Sequence, residues 1–248
     1  FLDKMISAAK HVIFWSVPLS ALFIVLRAQI VRTVLGSGEF SWSDTKLTAA
    51  ALALFVMSVV GQSLMLLFVR SFYAEGKTAK PLIINAVSAV VTLGAAYLLL
   101  KLYFASSLFK YFIEALLRTE GSSDSSVLML PLAFTIGTIL NLVLHWRAFS
   151  REFSGFTYPV MRTAFQTLSA SIIGSFVAYK ALQYFDDIFN INTTIGVFLQ
   201  GLCAGIVGLF VIGLILYLLK SKEFVDIKRA LKEKVWKVDE ASLDKLPS

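Results

Sequence analysis

Six apolar segments, each about as long as the hydrocarbon core of a membrane, constrain the fold of this chain more than any other feature. They cover residues 12–35, 47–69, 81–104, 127–146, 164–185 and 194–219. An α-helix rises about 1.5 Å per residue, so roughly 20 residues cross a core of roughly 30 Å. Backbone polar groups find no water inside lipid and must pair within their own segment. The segments therefore predict an all-α, polytopic membrane bundle of six transmembrane helices.

The composition argues against the common soluble classes. Hydrophobic residues make up 57% of the chain and charged residues 16%, with a mean hydropathy of +0.76, whereas soluble domains carry about 25% charged residues. The single cysteine, Cys203, lies inside an apolar segment, which excludes a disulfide framework and a cysteine metal site. The net charge of +7 comes from cations in loops between apolar segments, so we expect no nucleic-acid partner. The sequence starts at Phe1 without a signal peptide, and we expect a piece of a longer protein.

A short polar hairpin, residues 70–81, joins the second and third apolar segments and predicts that they are antiparallel neighbours. It carries Arg70, Lys77 and Lys80 against one acid, Glu75. Over all loops, sixteen Lys and Arg side chains lie on the hairpin's side of the bundle and five on the other. The positive-inside rule then places the hairpin and both termini of the chain in the cytoplasm.

Two stretches outside these segments have amphipathic helical patterns. Residues 108–118, within the connection 105–126, combine apolar and charged positions at a spacing typical of a short helix on the outer membrane surface. The basic tail, residues 220–248, repeats apolar residues between lysines and suits a helix on the anionic cytoplasmic leaflet. For each stretch the alternative is a solvated connector.

No catalytic or metal-binding constellation stands out. His11 and His145 lie at the ends of apolar segments, without a cysteine or carboxylate at ligand spacing. Phosphate-binding loops, dinucleotide-binding motifs and metalloprotease motifs are absent from the sequence. We therefore expect no metal, no cofactor and no enzymatic reaction.

Arg27 is the ionisable residue in the least expected position, the outer half of the first apolar segment. A charge at the centre of a membrane helix costs about 2.5–3.5 kcal/mol on insertion scales, so such residues are functional candidates. Its guanidinium could hold a phosphate or pyrophosphate oxygen. The alternative is that the side chain extends to the lipid headgroups, where we also expect Arg70.

Uncharged polar residues inside the segments are further candidates for lining a substrate groove, or else form hydrogen bonds between helices. They include Gln62, Asn85, Thr92 and Asn141. Small residues in the last two segments predict a close helix pair. They are Ala170, Gly174 and Ala178, at four-residue spacing, in one segment and Gly201, Gly205, Gly208 and Gly213 in the other.

Two motifs resemble those of the MurJ/MviN lipid II flippase family. The block 36–52, GSGEFSWSDTKLTAAAL, is similar to the family's glycine pair followed by Phe-Ser, Asp-Thr and Leu-Thr-Ala. The hairpin 70–81 is similar to the family's Arg-x-Phe-Tyr-Ala segment with a Thr and a Pro downstream. The matching positions are Gly36, Gly38, Phe40, Asp44 and Thr45 in the block, and Arg70, Phe72, Tyr73, Ala74, Thr78 and Pro81 in the hairpin.

The resemblance implies that the six segments correspond to helices nine to fourteen of a transporter of the multidrug/oligosaccharidyl-lipid/polysaccharide exporter (MOP) superfamily. Residues 1–146 are then the four-helix part of its C-terminal lobe, with the outer insert 105–126. Residues 147–219 are the terminal helix pair, whose groove takes the lipid tail in the family, and 220–248 are the cytoplasmic tail. The N-terminal lobe, with most of the family's cavity arginines, is missing from this sequence.

The function implied is a flippase of the bacterial cytoplasmic membrane that moves an undecaprenyl-pyrophosphate-linked peptidoglycan precursor by alternating access. Its partners would be that lipid-linked precursor, membrane lipids and the missing N-terminal lobe, and Phe72 and Tyr73 would pack at the membrane interface. One alternative is a related exporter of another lipid-linked oligosaccharide or a small drug. An alternative of another class is a membrane scaffold that recruits cell-wall enzymes.

The sequence departs from the family at two positions. Lys77 stands where an acidic residue usually precedes Thr78. Some members bind sodium through two residues that correspond by spacing to Thr92 and Ala96, and Ala96 offers no side-chain ligand. The sequence leaves the energy source of transport open.

Overall fold

The computed structural model describes residues 1–36, 41–121, 125–190 and 193–219, together with Ser221 and Glu223. Within these residues the chain forms α-helices and one short 3₁₀ helix, and no strand. The α-helices are α1 (Leu2–Val25), α2 (Arg27–Leu35), α3 (Trp42–Ala74), α4 (Ala79–Ala105), α5 (Ser107–Leu117), α6 (Met129–Glu152), α7 (Thr157–Asp186) and α8 (Thr194–Leu218), and the 3₁₀ helix Ser125–Leu128 leads into α6. The predicted all-α fold class is confirmed.

Five of the predicted six spans lie in helices that are long and apolar enough to cross a membrane. These helices are α1, α3, α4, α6 with its 3₁₀ entry, and α8. The remaining predicted span lies in α7, whose 30 residues suffice in length but whose composition is more polar than that of the other five. The number of long apolar helices thus agrees with a polytopic bundle. Helix α7 is the most polar of the long helices.

The first span differs from its prediction in its start and in an additional break. The sequence predicts one helix over 12–35, in which Pro18 favours a kink. Helix α1 starts earlier, at Leu2, and includes Pro18. The interruption lies at Leu26, whose φ of −87° and ψ of 7° leave the regular helical region. The reason is packing: α1 lies against α3 and α7, whereas α2 lies against α3 and α8. The break lets the first apolar segment pack against two different sets of helices.

The helices pack in the lateral order α4, α6, α3, α1, α7, α8, with α2 between the ends of α3 and α8. The sequence predicts α3 and α4 as direct neighbours because a short hairpin joins them. They barely touch, and α6 lies between them with extensive contacts to both. A short turn fixes that two helices meet at one end, and it leaves room for a third helix to enter between them.

The turn itself is shorter than the polar hairpin, because helix α3 extends to Ala74 and helix α4 starts at Ala79. The C-terminus of α3 closes with two backbone hydrogen bonds, Gly76 N–H to the Tyr73 carbonyl at 3.0 Å and Lys77 N–H to the Phe72 carbonyl at 2.9 Å. This pair is a Schellman motif, which needs a residue with positive φ. Gly76 supplies it with a φ of 75°. We call this end of the bundle the hairpin end and the opposite end the distal end.

Helices α7 and α8 approach closely through small residues, as the spacing predicts. A side chain added at Gly174 would meet Ile212 and come within 3.0 Å of the Gly208 carbonyl oxygen. One added at Gly208 would come within 2.9 Å of the Ala178 Cβ. Gly201 and Gly205 have another role, because they face Gln29 and Leu26. One side of α8 thus packs on α7, and another packs on the broken first span.

The Gly174→Leu variant should lose about 1–3 kcal/mol of unfolding free energy, the usual cost of forcing a side chain into a filled interface. Unfolding by sodium dodecyl sulfate, followed by circular dichroism in mixed micelles, measures the change. Gly94→Leu is the matched control, since nothing lies within 4 Å of a Cβ at that position of α4. Equal stability of the two variants would contradict the close approach of α7 and α8.

A buried carboxylate attaches the segment after α8 to the hairpin end. Glu223 is 4% exposed and accepts hydrogen bonds from Thr163 Oγ1 at 3.0 Å and Ser221 Oγ at 2.7 Å. Its Oε1 lies 3.5 Å from Lys10 Nζ in α1. Burial alone would raise the pKa of the Glu223 carboxyl, but its own backbone N–H, these two hydroxyls and Lys10 together hold that pKa below its ordinary value. The rest of the predicted basic tail, residues 220, 222 and 224–248, lies outside the described residues.

The Glu223→Gln variant should be less stable at neutral pH by about 1–3 kcal/mol, the usual contribution of hydrogen bonds to a charged group. Because the folded-state pKa of Glu223 is depressed, its contribution is complete above the ordinary pKa and disappears as pH falls through the lower, folded-state value. Thermal unfolding between pH 7 and pH 3 should therefore show the gap between wild type and variant closing at acid pH. A pH-independent gap would contradict this assignment, and Glu120→Gln, at an exposed position, serves as the control.

Candidate functional site

The block motif before α3 forms the start of that helix. Ser41 and Asp44 make a capping box, with Ser41 N–H to Asp44 Oδ2 at 2.9 Å and Asp44 N–H to Ser41 Oγ at 3.2 Å. The Thr45 hydroxyl donates to the Ser41 carbonyl at 3.0 Å and is buried. Gly36 ends α2, while Gly38 and Phe40 lie outside the described residues. The described part of this motif therefore defines a helix boundary.

The hairpin motif divides into a buried part and an exposed part. Phe72 is fully buried in an aromatic cluster whose other members include Phe68, Phe149 and Phe156. The expected placement of Phe72 at the membrane interface is therefore wrong, because this aromatic core at the hairpin end encloses it. Tyr73 is 52% exposed, and Arg70 is also exposed. Both are available to lipid headgroups.

The remaining hairpin residues start α4 and tie it to α6. Thr78 precedes the first helical residue without a side-chain capping bond, and Pro81 is buried in the first turn. The Lys80 Nζ lies 2.7 Å from Glu152 Oε2 at the end of α6, and Lys77 also pairs with Glu152. Lys77 further contacts Glu75 at 3.1 Å. The family departure at Lys77 thus has a structural partner, since the positive charge is matched by Glu152.

A polar seam runs between α4 and α6. Asn141 Nδ2 donates to Asn85 Oδ1 at 3.0 Å. Nearby, a side chain at Gly137 would collide with Thr92, whose Cβ would lie within 2.9 Å of the new Cβ. The structure therefore brings three of the predicted candidates, Asn85, Thr92 and Asn141, to one helix–helix interface.

Three buried atoms on this seam have no hydrogen-bond partner among the described residues. They are Ser88 Oγ, Asn141 Oδ1 and His145 Nε2. The other ring nitrogen of His145, Nδ1, lies 3.0 Å from the Asn141 carbonyl oxygen. The seam is thus only partly satisfied by its own residues and can accept hydrogen bonds from water or a ligand.

Helix α6 is also bonded to α3 on its opposite side. The Thr135 hydroxyl donates to the Leu54 carbonyl in α3 at 2.7 Å as well as to Pro131 within its own helix at 2.9 Å. Gln62, the other predicted candidate, donates from Nε2 to Ser58 Oγ at 2.7 Å inside α3. The structure therefore gives Gln62 an intrahelical partner and keeps it apart from the α4–α6 seam.

Arg27 lies at the distal end, in a groove of about 530 Å³ that several helices enclose. It is the first residue of α2 and donates from a terminal nitrogen to the Leu117 carbonyl at 3.5 Å, which is a weak bond. Lys46 of α3 and Arg118 at the end of α5 line the same groove. Across from them lie Asp186 and Gln200, joined by a hydrogen bond of 2.9 Å. We call this the distal groove.

Lys46, Arg118 and Gln200 were not singled out by the sequence. Lys46 belongs to the block motif, but its position within the motif says nothing about the side chain's direction. Arg118 reads as one end of an amphipathic stretch, and its left-handed backbone, with a φ of 58°, is a feature of the folded loop. Only the packing of α2, α3, α5, α7 and α8 brings these residues together.

Helix α5 confirms the predicted helical structure of the insert. Ile113 and Leu117 are buried against the bundle, and Glu114 accepts a hydrogen bond from Tyr103 Oη at 2.6 Å. Phe112 and Leu116 are exposed, along with Leu108 and Tyr111. The helix is apolar on both its inner and outer sides.

An apolar groove of about 410 Å³ lies between α1 and α3. Trp15, Leu19 and Phe23 line it from α1, and Val56 and Val59 line it from α3. The resemblance places the lipid-tail groove beside the last two helices, so this groove is in a different part of the bundle. Among the described residues, no group of three or more His, Cys, Asp and Glu side chains could hold a metal ion.

In a comparison with protein families, residues 1–108 match the family described as lipid II flippase MurJ. The matched stretch includes the block motif, the hairpin and helices α1–α4, and it covers less than half of the chain. Searches of curated proteins and of solved structures gave no significant match. The resemblance seen in the sequence is therefore confirmed for residues 1–108, and its extension over α6–α8 stays a prediction.

The hydrogen bond between Asn85 and Asn141 should couple the two residues in stability. Side-chain hydrogen bonds between membrane helices contribute about 0.6 kcal/mol on average and up to about 1.7 kcal/mol. A double-mutant cycle with Asn85→Leu, Asn141→Leu and the double variant should give a coupling energy in that range. Detergent-denaturation midpoints measure it, and strictly additive effects would show that the bond contributes nothing.

Proposed function

We propose that this chain is the C-terminal part of a lipid II flippase, which carries an undecaprenyl-pyrophosphate-linked peptidoglycan precursor across the bacterial cytoplasmic membrane. The observation that carries the proposal is the match of residues 1–108 to the family of that name. The match includes two separate motifs and four helices in order. Transport of this kind breaks no covalent bond, so the protein acts as a transporter and not as an enzyme.

The packing supports extending the assignment to the helices beyond residue 108. Helix α6 lies between α3 and α4, and α7 and α8 lie against α1 and α2. Matched and unmatched helices therefore form one packed bundle. We assign residues 1–146 to the C-terminal transporter lobe, 147–219 to the terminal helix pair, and 220–248 to the cytoplasmic tail.

The exposed apolar face of helix α4 supports a contact between this lobe and a partner outside it. It is the least buried of the five candidate spans, with 6% of its most apolar window buried. Large side chains such as Val90, Leu93 and Tyr97 are about 70% exposed. In the complete protein this face would contact membrane lipids or the N-terminal lobe.

The charge pattern supports the orientation with the hairpin end in the cytoplasm. The Lys and Arg residues in the loops on that side outnumber those on the distal side, as the positive-inside rule requires. The substrate would then enter near Arg70, which is exposed at the hairpin end, and leave near the distal end where Arg27 lies. Both side chains can bind phosphate oxygens through planar forks.

The hydrogen bonds of α6 support a lobe that moves as one unit. Alternating access requires two lobes that rock against each other while each keeps its internal packing. Thr135 bonds α6 to α3, Asn141 bonds it to α4, and Glu152 pairs with the hairpin lysines. These contacts join α6 to the matched helices α3 and α4 at three levels of the bundle.

Depletion of the full-length protein in its own bacterium should stop the appearance of lipid-linked precursor at the outer face of the membrane. The expected result is that precursor accumulates at the cytoplasmic face and that exposure of the precursor to an added extracellular hydrolase falls to background. Restoring the gene should restore exposure.

Normal exposure during depletion would contradict the proposal. Accumulation of another lipid-linked oligosaccharide, with normal precursor exposure, would point to a related exporter. Loss of cell-wall enzymes from the membrane, again with normal exposure, would point to a scaffold.

A further inference from the structure

The distal groove combines three cations from three separate elements. Arg27 comes from α2, Lys46 from the second turn of α3, and Arg118 from the end of α5. The groove's volume of about 530 Å³ falls within the range of small-molecule sites, roughly 300–1,000 Å³. Its size and its lining therefore suit a ligand that carries a small anionic group.

None of the three cations forms an ion pair with a carboxylate among the described residues, and they outnumber the single acid of the groove. The ion pairs of the described chain join other residues, and Arg27, Lys46 and Arg118 are in none of them. Asp186 is the one acidic side chain among the described residues that line the groove, and it accepts a hydrogen bond from Gln200. A groove with this surplus of positive charge favours an anion.

The donors left free in the groove fit a phosphate group. Arg27 is half-buried and spends one weak hydrogen bond on Leu117, which leaves most of its five N–H donors available. Arg118 adds a second planar fork, and Lys46 adds a mobile point charge. Two forks and an ammonium can surround the tetrahedral oxygens of a phosphate from three sides.

The surroundings of the groove favour a lipid as the carrier of that phosphate. Helix α5, which ends at Arg118, exposes an apolar row of Leu108, Tyr111, Phe112 and Leu116. Such a row lies in the membrane interface, at the depth of the headgroups. Trp42 is 59% exposed at the groove's rim, and tryptophan is enriched at the same depth. The cations are therefore held where lipid phosphates lie.

We propose that Arg27, Lys46 and Arg118 form a binding site for the phosphate of a membrane lipid at the distal end of the bundle. Helix α5 positions Arg118 by packing Ile113 and Leu117 on the bundle and by the Tyr103–Glu114 hydrogen bond. The site requires an anionic headgroup and does not depend on which substrate is transported. The proposal of this site can therefore be disproved while the proposed flippase function stands, and the flippase function can be disproved while the site stands.

Native mass spectrometry of the chain in neutral detergent tests the site directly, with dioleoylphosphatidylglycerol as the lipid. Arg27→Gln and Arg118→Gln should each weaken lipid binding about tenfold, and the double variant more, because each removes charge-assisted hydrogen bonds. Lys101→Gln is the matched control, since it removes an exposed distal cation of α4 that does not line the groove. It should bind like the wild type.

Two further arms define the outcome. Arg27→Lys keeps the charge and removes the fork, so its affinity should fall between those of wild type and Arg27→Gln, and circular dichroism should show the same helix content in each. Inorganic pyrophosphate is added to the protein, first without lipid and then in competition with it, to test whether a soluble anion is the ligand. Wild-type affinity in the Arg27→Gln, Arg118→Gln double variant, or an equal loss in Lys101→Gln, would overturn the site. Tight binding of pyrophosphate that displaces the lipid would overturn the lipid as its ligand.

Discussion

The position of α6 between α3 and α4 is the constraint on which the rest of this structure depends. In lipid the hydrophobic effect does not drive helices together, so they associate through close packing and polar contacts. Helix α6 supplies both: Thr135 bonds to the α3 backbone, Asn141 bonds to Asn85, and Gly137 admits Thr92 of α4. Without α6, helices α3 and α4 would be joined by little more than their turn.

The break at Leu26 lets the first span pack against two different sets of helices, and it also forms part of the distal groove. Gly201 and Gly205 of α8 lie against Gln29 and Leu26, so α2 follows α8 while α1 follows α3 and α7. The new helix starts with Arg27, and the change of direction places this residue beside the start of α3 and the end of α5. Discontinuous helices are a common element of binding sites in transporters.

The sequence predicted most of the helices and little of their arrangement, for a physical reason. Segment length and hydropathy determine that a segment crosses the membrane, and small residues at four-residue spacing predicted the α7–α8 contact, which the structure contains. Polar residues such as Asn141 mark one face of α6, but the sequence does not show which helices that face meets, so the place of α6 is not predicted. The break at Leu26 has no glycine or proline to announce it. Lys46 and Arg118 are distant in sequence from Arg27, and only the fold joins them.

The cations at the two ends of the bundle differ in their partners, and this difference supports an anion-binding role for the distal groove. At the hairpin end Lys77 and Lys80 pair with Glu152, and Lys10 pairs with Glu223. These cations are matched by carboxylates and hold helix ends together. In the distal groove, Arg27, Lys46 and Arg118 converge without such partners among the described residues. Cations that served only to fasten helices would have carboxylates beside them, as the hairpin lysines do. Three that form no such ion pair, and that outnumber the single acid in a groove of ligand size, are arranged to meet an anion from outside the chain.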